Sequence, residues 1–122
     1  MSPFSLKTRI TTPRYAETVA WYRDLLGLVL VEQWDEPGDK GCILAVADGS
    51  NEALLEICDG PIVAGFSDLS LQFRVDDVGE FKPPEESRFA ARGPVDRPWG
   101  SRYLFFTDPN RISVVLFSGS AF

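Results

Sequence analysis

Leu6-Lys7-Thr8-Arg9-Ile10-Thr11 and Leu69-Ser70-Leu71-Gln72-Phe73-Arg74 lie 63 residues apart and carry one pattern. Leu6, Thr8 and Ile10 alternate with Lys7, Arg9 and Thr11, and Leu69, Leu71 and Phe73 alternate with Ser70, Gln72 and Arg74. A period of two predicts a strand with one greasy and one polar face. The same strand met twice, half a chain apart, points to internal duplication.

The residues after each strand support that reading. Thr12-Pro13 has the form of a helix start, hydroxyl at the N-cap and proline at the first helical position. Tyr15, Val19, Tyr22 and Leu26 recur at helical spacing, and Gly27 is a C-terminal stop. Strands are predicted at 28–34, 41–47 and 53–58, separated by the turns Asp35-Glu36-Pro37-Gly38-Asp39 and Asp48-Gly49-Ser50-Asn51. In the second half, Asp76-Asp77-Val78 opens a helix that Pro83-Pro84 interrupts, with one further turn over 88–92. A short strand near Val95, strands over 102–107 and 112–117, and the Asp108-Pro109-Asn110 turn complete it. Both halves read β-α-β-β-β, the second with a shrunken helix.

The chain has 122 residues, 44% hydrophobic and 25% charged, which suits one globular domain with a real core. Its formal charge of -6, with no basic run, argues against nucleic-acid binding. No apolar stretch reaches the roughly 20 residues of a membrane helix, and the N-terminal residues lack a signal-peptide core, so a cytoplasmic protein is expected. There is no histidine. That excludes Ser-His-Asp and Cys-His nucleophilic machinery and every imidazole metal site. Cys42 and Cys58 have no soft-ligand neighbours in the sequence and read as reduced thiols.

Ala20-Trp21-Tyr22-Arg23-Asp24-Leu25-Leu26-Gly27, Val75-Asp76-Asp77-Val78, Pro98-Trp99-Gly100 and Phe105-Phe106-Thr107-Asp108-Pro109-Asn110 occur in the order and spacing of a known family. The chain resembles the vicinal oxygen chelate superfamily, which includes glyoxalase I, bleomycin-resistance proteins and extradiol dioxygenases. The resemblance implies an α+β fold: one domain, 1–122, of two tandem βαβββ modules, approximately 4–60 and 66–120. These form a U-shaped or barrel-like mixed sheet with the helices outside. It also implies four metal-ligand positions, usually histidine or glutamate, which fall here on Lys7, Glu56, Ser70 and Val115. Only Glu56 of these could ligate a divalent cation, so no metal and no other cofactor is expected.

In this fold the polar strand faces line a concave groove. Alternation puts Lys7, Arg9 and Thr11 there, with Leu54, Glu56, Ser70, Gln72, Arg74, Ser113, Val115 and Phe117. Buried unpaired charge is costly, so these groups must pair, stay hydrated or meet a ligand. Two readings stay open. In one, Lys7 and Glu56 pair in a wet groove and the arginines are solvated or lie at a dimer seam. In the other, Arg9 and Arg74 hold a ligand carboxylate, phenolate or enolate, with Gln72 and Phe117 beside it. Trp34, Trp99, Tyr103 and Phe105 could stack a planar ligand, or could instead cover core. Trp21, Tyr15 and Tyr22 are expected to pack inside. The function expected is a metal-free, homodimeric binding protein for a small planar organic ligand, for which an anionic one suits the groove charges. The alternative is a metal-independent lyase or isomerase acting through an enolate, with Lys7 and Glu56 as catalytic acid and base.

Overall fold

A computed structural model describes residues 5–81 and 91–120. The chain divides into two compact units between Gly65 and Phe66.

The first unit runs β1 (Leu6–Thr12), α1 (Tyr15–Ala20), a π-helical turn (Trp21–Leu25), β2 (Val29–Glu36), β3 (Asp39–Ala45) and β4 (Ala53–Asp59). Its sheet has the order β1-β4-β3-β2, with β1 parallel to β4 and the other pairs antiparallel. The second unit runs β5 (Ser70–Arg74), a 3₁₀ turn (Val78–Glu80), β6 (Ala91–Asp96), β7 (Ser101–Thr107) and β8 (Ser113–Gly119). Its order is β5-β8-β7-β6, again with the first pair parallel. Four strands in the same order and sense, twice, make the chain an α+β duplication of one module.

Several element boundaries differ from expectation. The helix begins at Tyr15, because Thr12 completes β1 and its Oγ1 accepts a hydrogen bond from the Arg14 amide at 2.9 Å. The hydroxyl thus closes a local turn ahead of the helix, and Pro13 stands outside it. At the far end Gly27 has φ +75°, and the Leu28 amide reaches back to the Tyr22 carbonyl at 3.2 Å. That is the left-handed stop a glycine favours. The β2–β3 turn is only Pro37-Gly38: Glu36 already pairs with Asp39, so Asp35, Glu36 and Asp39 belong to strands. β3 ends at Ala45, and Val46 and Ala47 lie outside it. Asp76-Asp77-Val78 leads into a single 3₁₀ turn, where the Asp77 carboxylate accepts from the Gly79 amide at 2.8 Å. Ala91 and Arg92, expected at the end of a helical turn, begin β6. Residues 88–90 of that turn and Pro83-Pro84 lie outside the described residues.

Each sheet buries one face. In the first unit Ile10, Leu44, Leu55 and Ile57 pack with Val19, Trp21, Tyr22 and Leu25, as α1 lies on β1 and β4. In the second, Leu104, Phe106, Val114, Leu116 and Val78 are buried, and Phe81 meets Phe106 edge-on at 5.7 Å. Each such side chain contributes roughly 1.5–3 kcal/mol of transfer free energy. The opposite, open face of each sheet carries the polar alternates. Among the described residues no helix is long and apolar enough to cross a membrane.

Candidate functional site

Strand register sets what meets on each open face. In the first sheet one row reads Arg9, Glu56, Ile43 and Glu32, and the next reads Thr11, Cys58, Gly41 and Trp34. Lys7 begins the row before them, beside Leu54. In the second sheet the corresponding rows read Gln72, Val115, Phe105 and Arg92, and Arg74, Phe117, Tyr103 and Val95. Glu56 and Val115 therefore hold equivalent places, each across the parallel pair from the middle of its first strand. Within each unit, the residues singled out from alternation share one face.

On the first sheet Glu56, 9% exposed, is engaged through both oxygens. Lys7 Nζ lies 2.8 Å from Oε1, and Cys58 Sγ donates to Oε2 at 3.1 Å. The Lys7 bond holds the Glu56 carboxyl below the usual range against the opposing effect of burial, with help from Cys58 and Arg9. Burial and then the Glu56 hydrogen bond push the Cys58 thiol up to about 11, so it is protonated at neutral pH and a poor nucleophile. Trp34 covers Gly41, and its Nε1 donates to Asp39 Oδ1 at 2.8 Å. A Cβ on Gly41 would meet Trp34 Cζ2, lie 2.8 Å from Cε2 and approach the Ile57 carbonyl to 3.0 Å. Only glycine lets the indole rest on the sheet.

On the second sheet the polar alternates give way to rings. Tyr103 sits among Phe117 at 5.8 Å, Phe105 at 5.9 Å and Trp99 at 6.2 Å, all at tilted or edge-on angles. Trp99 reaches this cluster from the turn Arg97-Pro98-Trp99-Gly100, closed by the Gly100 amide on the Arg97 carbonyl at 3.1 Å, and remains 49% exposed. Arg97 folds back from the same turn over Tyr103, Phe105 and Trp99, at 5.1, 5.6 and 5.9 Å from their ring centres. Arg92 stacks on Phe105 at 4.5 Å. Arg74 is spent partly on the Gly119 carbonyl at 3.1 Å, and Gln72 on Ser70 at 3.4 Å. Val115, expected to line the groove, is 2% exposed beneath its neighbours.

Alternation did not single out Arg92 or Arg97. Gly93-Pro94 reads as a strand breaker, and β6 absorbs it through a register shift between Arg92 and Val95. The usable signal was Arg97-Pro98-Trp99-Gly100 itself, a turn that presents a cation and a ring together. Tyr15, expected in the core, is only half-buried. It lines an open cleft of about 470 Å³ between α1 and β2, with Lys40 Nζ 5.2 Å above its ring. Its hydroxyl hydrogen-bonds with the buried Cys42 thiol, and burial pushes both groups up, so both stay protonated at neutral pH.

The four positions that would hold the family's metal make a poor donor set. The Lys7 ammonium occupies one side of Glu56, Val115 offers no donor atom, and Ser70 offers only a neutral hydroxyl. A single carboxylate already paired with a cation does not fit a divalent ion. Among the described residues no other group of three or more His, Cys, Asp or Glu could hold one.

Residues 6–116 match the family model described as the Glyoxalase/Bleomycin resistance protein/Dioxygenase superfamily. No curated protein matches the sequence. Among solved structures, the chain is similar to TnmS3, an antibiotic binding protein from Streptomyces sp. CB03234. They share 22% identity with a TM-score of 0.72, over 98% of this chain and 100% of that one. It is similar also to the fosfomycin resistance protein FosX from Listeria monocytogenes, at 14% identity and TM-score 0.75, over 99% and 96% of the two chains. A third is YycE from Bacillus subtilis, at 15% identity and TM-score 0.73, over 97% and 91%. At these identities the likeness speaks for the fold.

Proposed function

The chain belongs to the Glyoxalase/Bleomycin resistance protein/Dioxygenase superfamily, and from that premise we propose that it binds a small planar organic molecule without a metal. The molecule is sequestered rather than transformed, as in a resistance protein, by a cytoplasmic homodimer. The observation that carries this reading is the Tyr103 cluster: four rings gathered on an open sheet face, one of them the half-exposed Trp99. Rings of that size left in reach of water offer stacking area to a flat ligand. Two free cysteines suit a reducing compartment. The antibiotic-binding description of TnmS3 lends support from a relative of the same fold.

Binding is preferred over the enolate alternative because of the state of Glu56. A general base works best with a pKa near the working pH. Glu56 is held the other way, as a weakly basic carboxylate bonded through both oxygens. Lys7→Met separates the two readings: under sequestration it tunes affinity, and under catalysis it abolishes turnover while binding stays measurable.

A native mass spectrum of protein purified without added metal or chelator tests the reading as a whole. A metal-free dimer, with or without a retained organic molecule, is expected. A stoichiometric divalent ion would overturn the metal-free part and reopen metal-dependent chemistry.

A further inference from the structure

We propose that Arg92 and Arg97 recognise the oxyanion of an aromatic carboxylate whose ring stacks on the second sheet's open face. The inference rests on the proposed binding of a planar ligand and names the chemistry of that ligand.

It begins from two cations at one ring. The guanidinium carbons of Arg92 and Arg97 stand 4.5 and 5.6 Å from the centre of Phe105. Like charges so placed repel. Neither is balanced by a carboxylate among the described residues, although an acid lies close in the chain: Asp96 pairs with the exposed Arg102 at 2.8 Å. A stacked guanidinium spends its flat faces on the rings and keeps its N–H donors free at the edge, in the plane that a carboxylate fork fits. Arg97 lies over three rings, its Nε is buried with no hydrogen-bond partner among the described residues, and its terminal nitrogens are the donors left for a ligand.

The surroundings define the rest of the ligand. Phe105 and Tyr103 lie in neighbouring rows of the face beside the two arginines. A planar ring laid against the half-exposed Trp99 at the margin of this cluster would bring a carboxylate substituent to the guanidinium edges, where it offsets their charge. A cationic ligand would add a third like charge. A neutral ring would stack but leave the two arginines unbalanced. The face is also opposite in sign to the chain as a whole, whose formal charge is -6. An anion entering it is thus drawn to a local positive site in a negative field, where a general surface effect would repel it.

The test uses the full chain and two probes of matched shape, 2-naphthoate and the uncharged 2-naphthalenemethanol, titrated calorimetrically. Naphthoate is expected to bind about tenfold tighter or more, the scale of charge-assisted bonds to one carboxylate. Arg97→Gln and Arg92→Gln should each erode that ratio, with an unchanged circular dichroism spectrum and thermal midpoint reporting that the fold is intact. Arg97→Lys should restore only part of the ratio, since an ammonium keeps the charge but lacks the planar fork. Equal affinities for the two probes, or a ratio unmoved in both glutamine variants, would overturn the inference and leave the planar-ligand reading standing. If neither probe binds at millimolar concentration, the inference and that reading fall together.

Discussion

At the scale of single residues, two positions on the first sheet carry the sharpest consequences. Gly41 is there because Trp34 covers it, so Gly41→Ala should force the indole off the sheet and cost about 1–3 kcal/mol, the range of local overpacking. In a Trp34→Ala background the same change should cost far less. A double-mutant cycle in urea reads the coupling, and additive costs would show that the contact is not what selects glycine. Glu56 gives a pH signature of known sign. Lys7 lowers its folded-state pKa, so its contribution is fully present above the ordinary value of 4.5. As pH falls below that value the unfolded chain takes up the proton first, and stability drains until the folded pKa is passed. The urea midpoint of the wild type should therefore fall over that acid window by more than that of Glu56→Gln. At neutral pH that variant should itself lose about 1–3 kcal/mol, since an amide has no charge and one acceptor oxygen where Lys7 and Cys58 each had their own. Parallel midpoint curves would remove Glu56 as a stabilising anion.

At the scale of elements, the β7–β8 connection shows how a short loop is held. Asp108, only 4% exposed, accepts through Oδ1 from the Asn110 amide at 2.7 Å and the Ile112 amide at 2.8 Å. These bonds oblige Arg111 into φ 65°, a region that side chains with a Cβ rarely take. Asp108→Ala should cost about 2 kcal/mol through two buried amides left unpaired. Arg111→Gly should be neutral or stabilising by up to about 1 kcal/mol, because it relieves the left-handed strain. Thermal unfolding of the pair checks both signs, and a clear loss on Arg111→Gly would mean that its side chain matters more than its backbone. The same loop marks what the sequence could convey. Asp108-Pro109-Asn110 announces a turn by chemistry, as Pro37-Gly38 and Gly27 announce theirs, and strand alternation assigned Arg9, Arg74 and Phe117 to one kind of face. Non-local choices stayed hidden. The helix shifts into a π turn at Trp21 while burying Trp21, Tyr22 and Leu25 together, and Thr12 spends its hydroxyl ahead of the helix. β6 forms across Gly93-Pro94 because β7 supplies its pairing, which no local propensity encodes. Arg92 and Arg97 were lost with it.

At the scale of the molecule, the duplication left one module's chemistry unlike the other's. Equivalent places hold Glu56 in the first sheet and Val115 in the second, Arg9 against Gln72, and Ile43 against Phe105. Thus the first face is an ion-paired surface and the second a ring-lined cationic one. Each unit also keeps an exposed leucine where its first strand begins: Leu6 is 67% and Leu69 36% exposed, and Val31 on β2 is 51% exposed. Apolar surface of this kind is costly in water and is relieved when a second copy covers it. The proposed homodimer should therefore sediment at twice the 13.6 kDa chain mass across micromolar concentrations. Val31→Lys, placed on an edge strand, distinguishes a β2-mediated dimer from one formed elsewhere: in the first case it yields a folded monomer, in the second it leaves the mass unchanged. A monomeric wild type would discard the dimer and leave the ligand face intact, since the Tyr103 cluster and both of its arginines lie within one unit of one chain.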